Sequence, residues 1–488
     1  MNDAPSHDDS ARDDSARGGP SRDDPAPIDP QIDVSFRGSI KEVLRIAIPL
    51  MISTGTFSLV LFADRTFLLS YDGASMSASM ASGTLFWVMV CLPVGIASMT
   101  GAIISQYIGA GQEHRIGRFL WQSVWLSLAF LPLFAAAAYY APWLLRATGQ
   151  PDELISLEST YLRLLLIGAV GNVLETALSG FFGGTERTSV IMWVSIASGL
   201  INVVLDIVLI FGFGPDPVFG FQLLPMGIAG AAIGSVIAFW FKAIVYGTLL
   251  LRPSHQTRYR LIAGFGIDWP MIRNLIYFGL PTGLMYLTEA GGFTVMVLRI
   301  GTLGDIPLRA TTMAINFNMV AFIPLVGVSI AASVLMGRHL IESGPARAIR
   351  SVYASLTIGF IYSGIWMVGY LAIPDVMMSL YEKSVGDSSS VEAIRLGRGL
   401  LKYVAIYVVF DSVQLILAGA LRGAGDTWFV LIGGVGASLL ALAVGFVWEP
   451  DQNGLRWWWT IIAMWIWMLA TTMTLRFAYG KWKTMRMV

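Results

Sequence analysis

Glu289 lies in PTGLMYLTEAGGFTVMVL (281–298), a run apolar enough to sit inside a membrane, and Asp64, Glu175, Asp206 and Asp411 interrupt comparable runs. On insertion scales a charged side chain at the centre of a membrane helix costs about 2.5–3.5 kcal/mol, and more if it stays ionised and unpaired. Such residues belong beside a wet cavity, where a carboxyl can coordinate Na⁺ or take up H⁺ and so hold an exchangeable cation. The alternative is a protonated or amide-bonded carboxyl that only ties helices together. Glu289 and Asp411 read as cation-holding groups. Asp64 is followed at once by Arg65, a candidate partner near the interface, while Asp206 and Glu175 are divided between the two uses. Lys242 falls where its long stem can reach the head groups, and reads as structural.

Other chemistries find little support in the sequence. Cys91 is the single cysteine, so neither an intrachain disulfide nor a thiolate metal cluster can form. His7, His114, His255 and His339 share no metal-ligand spacing and read as solvated residues of tails and polar loops. No G-x-x-x-x-G-K-[ST] loop, H-E-x-x-H or G-x-S-x-G motif occurs, which argues against an ATP-driven pump or an enzyme. No cofactor and no nucleic-acid partner is expected.

The elements that must position these acids are membrane helices. The chain of 488 residues is 55% hydrophobic and 13% charged, with a mean hydropathy of +0.66, against roughly a quarter charged in a soluble domain. Residues 1–36, rich in Asp, Ser, Arg and Pro, read as a disordered acidic tail with no apolar segment of a signal peptide. Twelve apolar runs follow: 43–69, 79–104, 119–141, 161–182, 188–211, 227–251, 270–300, 310–335, 350–373, 395–420, 427–448 and 456–478. Each is long enough for a hydrocarbon core of roughly 30 Å. Basic residues such as Arg115, Arg118, Arg187, Arg252, Arg258, Arg338, Arg347, Arg350 and Arg422 fall on the side of both termini, whereas 212–225 has none. By the positive-inside rule both termini face the cytoplasm. The polar stretch 374–400 fits this scheme least and reads as an amphipathic surface segment.

A shift of 232 residues brings Pro49 onto Pro281, Val94-Gly95 onto Val326-Gly327, and Arg115 and Arg118 onto Arg347 and Arg350. Beyond 374–400 the shift becomes 239 and places Leu178, Gly180, Gly184 and Thr188 on Leu417, Gly419, Gly423 and Thr427. The expected fold is therefore an all-α membrane protein of twelve transmembrane helices in two six-helix lobes, 37–252 and 270–488, joined by a cytoplasmic linker, 253–269. Because six is even, the repeats run parallel, and lobes so related can rock about a central cleft. The pairs Gly180/Gly184, Gly230/Gly234 and Gly419/Gly423 have the small-xxx-small spacing of close helix packing.

Five stretches carry a resemblance to a known family: GIASMTGAIISQYIGAG (95–111), NVVLDIVLIFGFG (202–214), PMGIAGAAIGSVIA (225–238), IPLVGVSIAASVLMGR (323–338) and LAGALRGAGDT (417–427). In this order, within twelve spans, they resemble the multidrug and toxic compound extrusion (MATE) family over nearly all of 38–485. The resemblance implies a monomeric inner-membrane antiporter that expels cationic or aromatic organic compounds in exchange for Na⁺ or H⁺. Glu289 and Asp411 match the seventh- and tenth-helix carboxylates of the NorM-type branch, Asp64 its first-helix aspartate, and Asp206 with Asn202 the polar positions of the fifth helix. Arg65 departs from the small polar residue the family has there. Two rival readings are a lipid-linked oligosaccharide flippase of the same wider superfamily and, more distantly, a membrane-embedded enzyme.

Overall fold

The computed structural model describes residues 36–148, 152–212, 224–382 and 388–488. The acidic tail lies outside the described residues except for Phe36, and so does most of 212–225. The helices are α1 (Phe36–Tyr71), α2 (Gly73–Gly109), α3 (Ile116–Ala129), α4 (Leu131–Tyr139), α5 (Ala141–Ala147), α6 (Asp152–Gly184), α7 (Thr188–Phe211) and α8 (Ile228–Leu250). They continue with α9 (Pro253–Tyr259), α10 (Trp269–Gly301), α11 (Asp305–Glu342), α12 (Pro345–Ala372), α13 (Pro374–Glu382), α14 (Ser388–Ala424), α15 (Thr427–Val447) and α16 (Gly454–Tyr479).

Among the described residues, eleven spans are long and apolar enough to cross a membrane. The twelfth is α10, whose 33 residues reach about 50 Å. Proline, threonines, glycines and Glu289 hold down its apolar character, and these are the residues that set 281–298 apart in the sequence. Many helices outrun the apolar runs that announced them. The 37 residues of α2 reach about 55 Å, well beyond the hydrocarbon core.

The third apolar run is a candidate span, Glu113–Tyr139, but its helix is interrupted at Phe130 and a short helix follows Tyr140; Pro132 and Pro142 stand in the first turns of those segments. Proline fits a first turn because its missing N–H would be unpaired there anyway. In 374–400, α13 presents Met378 inward and Val376 outward, as an amphipathic segment does, and α14 begins at Ser388, ahead of the 395 read for the tenth span. One expectation is overturned: His255 and His339 are buried and hydrogen-bonded rather than solvated.

The packing repeats as the sequence does. In the first half α1 packs on α7, α2 on α6, and α8 on both α6 and α7. In the second half α10 packs on α15, α11 on α14, and α16 on both α14 and α15. The two most extensive contacts between the halves are α1 against α11 and α10 against α2, and exchanging the halves exchanges the two; α2 also meets α11, and α1 meets α12. Glycines make both crossings possible. A Cβ at Gly95 would fall on the backbone of Gly283, and one at Gly327 would lie 2.6 Å from the Met51 nitrogen. Gly95 and Gly327 are repeat mates. Within the lobes, Gly184 lies against Gly101 and Gly423 against Ser333, the close approach expected of small-xxx-small spacing.

Candidate functional site

Two groups of polar side chains lie inside the bundle, one in each lobe. In the first lobe α1 supplies Asp64, and α7 supplies Asn202 and Asp206, one turn apart and so on one face. All three are buried. Oriented so that both ends of its amide are satisfied, Asn202 donates to Asp64 Oδ1 at 3.0 Å and accepts from the Ser235 backbone N–H at 3.3 Å. The Asp206 carboxyl faces that of Asp64 as a hydrogen-bond partner. Its Oδ1 has no further partner among the described residues. A Cβ at Gly234 would stand 2.6 Å from this oxygen, so this glycine of α8 makes room for a carboxylate as well as for a helix. Two carboxyls so placed share a proton unless a cation lies between them, since two bare negative charges at that distance repel.

Arg65 does not complete this cluster. It is exposed, and among the described residues no ion pair joins it to Asp64. Successive residues on a helix point about 100° apart, so adjacency in sequence separates these two side chains instead of pairing them.

In the second lobe α10 supplies Glu289, and α14 supplies Asp411 and Gln414. Gln414 Nε2 donates to Glu289 Oε1 at 3.0 Å. Asp411, buried one turn before Gln414, lies close enough to Glu289 for the two to interact electrostatically. Below them Arg422, read from the sequence as a loop cation, is half-buried; its guanidinium lies 5.8 Å from the Tyr286 ring and donates to Ser329 Oγ at 3.3 Å. The Arg422 charge also acts on Glu289. Sequence reasoning missed Gln414. A signal was present, because the shift of 239 makes it the repeat mate of Glu175, just as Asp411 is the mate of Asn172.

Glu175 has a different partner. Lys242 Nζ of α8 donates to Glu175 Oε1 at 2.5 Å, both side chains being largely buried. Lys242 is therefore paired within the lobe and does not reach for the head groups. The candidate cation-binding residues thus form two clusters in separate lobes, Asp64 with Asn202 and Asp206, and Glu289 with Asp411, while Glu175 is neutralised by its own lysine.

Polar contacts between the lobes gather at the face carrying both ends of the helical bundle. Glu42 of α1 meets His339 of α11 at 3.2 Å and Arg347 of α12 at 3.6 Å. Glu186, just after α6, pairs with Arg338 of α11 at 2.5 Å. Gln106 of α2 donates to the Gly423 carbonyl at 2.9 Å and accepts from the Met487 N–H at 2.8 Å, while the Met487 carbonyl accepts from Asn274 of α10 at 2.6 Å. Met487 is buried against the apolar core of the first lobe, so the end of the chain fills the seam.

The MatE family model matches this chain over residues 49–208 and again over 281–447. The two stretches start 232 residues apart and end 239 apart, the offsets of the internal repeat. A probable multidrug resistance protein NorM from Bradyrhizobium diazoefficiens is 27% identical over 412 residues, covering 83% of this chain and 86% of the relative. Another from Burkholderia mallei is 27% identical over 446 residues, covering 89% and 92%. The crystal structure of the eukaryotic MATE transporter AtDTX14 superposes with a TM-score of 0.78 at 20% identity, covering 92% of this chain and 97% of that one. The repeated match, the two-lobed bundle and these relatives agree: this chain belongs to the MATE family, in its NorM-like branch.

Proposed function

We propose that this chain exports small cationic or aromatic organic compounds across the bacterial inner membrane, as a monomer with both termini cytoplasmic, in exchange for Na⁺ or H⁺. The observation that carries the reading is the division of buried carboxyls between two lobes, whose side-chain and chain-end contacts gather at one face. Such clasps break and re-form at modest cost, as rocking of 37–252 against 270–488 about the linker 253–269 requires. The relatives named as multidrug resistance proteins support export of foreign compounds. The intramembrane acids disfavour a flippase, which would need a basic cavity, since Lys242 is already paired.

In the cycle, a cation enters from outside onto Glu289 and Asp411, with Gln414 holding Glu289 in place. Its binding shifts the lobes and weakens the hold on substrate, which leaves outward. The cation is then released inside, and the cleft reloads. Asp64, Asn202 and Asp206 form a second place for a proton or cation in the other lobe. One elementary charge moving inward supplies roughly 2.3 kcal/mol per 100 mV, enough to drive a substantial substrate gradient.

Efflux of a fluorescent cationic dye from proteoliposomes, under separate Na⁺ and pH gradients, tests the coupling site. Glu289→Gln and Asp411→Asn are each expected to lose most gradient-driven transport while still binding dye. Unchanged transport in both variants would sink the assignment.

A further inference from the structure

We propose that the groove between α4 and α6 binds an anionic phospholipid, whose phosphate pairs with the Arg163 guanidinium. The groove has a volume of about 440 Å³ and is lined by Ala135, Ala138 and Tyr139 of α4 and by Arg163 and Ile167 of α6. It lies at the edge of the first lobe, where α4 packs chiefly on α6. In a membrane protein, exposure at such an edge means exposure to lipid.

Arg163 is exposed there and carries a charge that no carboxylate neutralises among the described residues. Its Nε donates to the Ala138 carbonyl at 3.1 Å, which fixes the plane of the guanidinium and leaves the Nη edge without a hydrogen bond among the described residues. A fixed fork of N–H groups is the geometry that takes a phosphate through two parallel bonds.

Depth agrees with this ligand. Counting back about 20 residues from Gly184, the length that crosses the hydrocarbon, ends near residue 164. Arg163 therefore stands at head-group level on the face opposite the chain ends. Tyr139, Tyr140 and Trp143 are exposed at the same end of the lobe, with the two tyrosine rings edge to face at 5.0 Å, as expected of an interfacial aromatic belt. Ala135 and Ile167 give the groove an apolar wall along which an acyl chain can lie. A lipid of net negative charge neutralises the guanidinium, whereas a zwitterionic lipid brings an ammonium group of its own.

The test uses the full chain, delipidated in neutral detergent, with binding read by native mass spectrometry and by thermal unfolding. Phosphatidylglycerol, phosphatidylcholine with the same acyl chains, and inorganic phosphate are compared. Phosphatidylglycerol alone is expected to be retained and to raise the Tm, as any ligand of the folded state does. Arg163→Gln should weaken phosphatidylglycerol binding by about tenfold, the scale of one lost charge-assisted contact, and Tyr139→Phe should weaken it less. Should Arg163→Gln not fold, Arg163→Lys keeps the charge without the fork and is expected to bind more weakly than wild type. Equal responses to the two lipids, equal binding by wild type and the folded variants, or an effect of inorganic phosphate as large as that of the lipid would each overturn the proposal.

Discussion

Asp206 is buried on α7 with its carboxyl turned toward Asp64, and Gly234 of the next helix lies against its Oδ1. A methyl group at 234 would stand 2.6 Å from that oxygen, inside van der Waals contact, and would push the carboxyl out of its place against Asp64. Forcing an extra methyl into a packed interior costs about 1–3 kcal/mol. Gly234→Ala is therefore expected to slow coupled transport by about tenfold or more, whereas Gly247→Ala, which meets nothing within 4 Å, should be silent. Transport rates of the two variants, normalised to folded protein, check this; equal rates would show that Asp206 needs no such space. The acids themselves were legible in the sequence because they interrupt apolar runs. Their pairings were less so: Asn202 was named through the family resemblance alone, Gln414 was passed over although the repeat sets it opposite Glu175, and only a neighbouring helix brings a carboxyl within 3.0 Å of each.

At the scale of elements, the short helix α9 shows how the linker is held to the first lobe. His255 of α9 is buried, hydrogen-bonds the Leu249 carbonyl through Nδ1 at 3.0 Å and receives an Arg187 guanidinium N–H on Nε2. Those contacts require the neutral ring with its proton on Nδ1. Burial first, and then the Arg187 charge, hold the His255 pKa below its ordinary value. A histidine lowered in the folded state takes up more protons when undocked, so docking stability rises with pH. It is complete above an ordinary histidine pKa of about 6.5 and is lost as pH falls through the lowered value. Protection against hydrogen exchange over 253–264, taken relative to the intrinsic rate at each pH, should accordingly fall on acidification, and protection independent of pH would remove His255 as the cause. This anchor was not legible in the sequence, because a histidine in a polar loop looks solvated until another helix covers it. Proline was a better guide: Pro132 and Pro142 stand at the breaks of the third span. A hydropathy window still joined those pieces, since each is apolar throughout.

For the whole molecule, the consequential arrangement is the clasp around Gln106, which joins α2 to the end of α14 and to the end of the chain. Gln106→Ala removes both bonds with little change in apolar packing. Exchange at 423–426 and 485–488 is expected to quicken by about tenfold, as for loss of about 1.4 kcal/mol of local stability, and the closed face should open more readily. Unchanged exchange in a folded variant would show that packing alone closes the seam. The repeat predicted that the halves would be alike, and the crossing of Gly95 on Gly283 mirrors that of Gly327 on Met51. The contents of the halves are not alike. One holds two facing aspartates and a separate glutamate–lysine pair, and the other a glutamate, an aspartate and a glutamine.

By itself the sequence determined that this chain spans a membrane, how many times, in two parallel halves, and which acids are costly enough to need a purpose. Hydropathy and spacing are properties of one helix at a time, and those conclusions need nothing more. Which acid meets which, that Lys242 neutralises Glu175, and that the final residues pack into the seam were decided only by tertiary structure. Each depends on the rotation of one helix about its axis relative to another, and that rotation is set by packing between segments far apart in the chain.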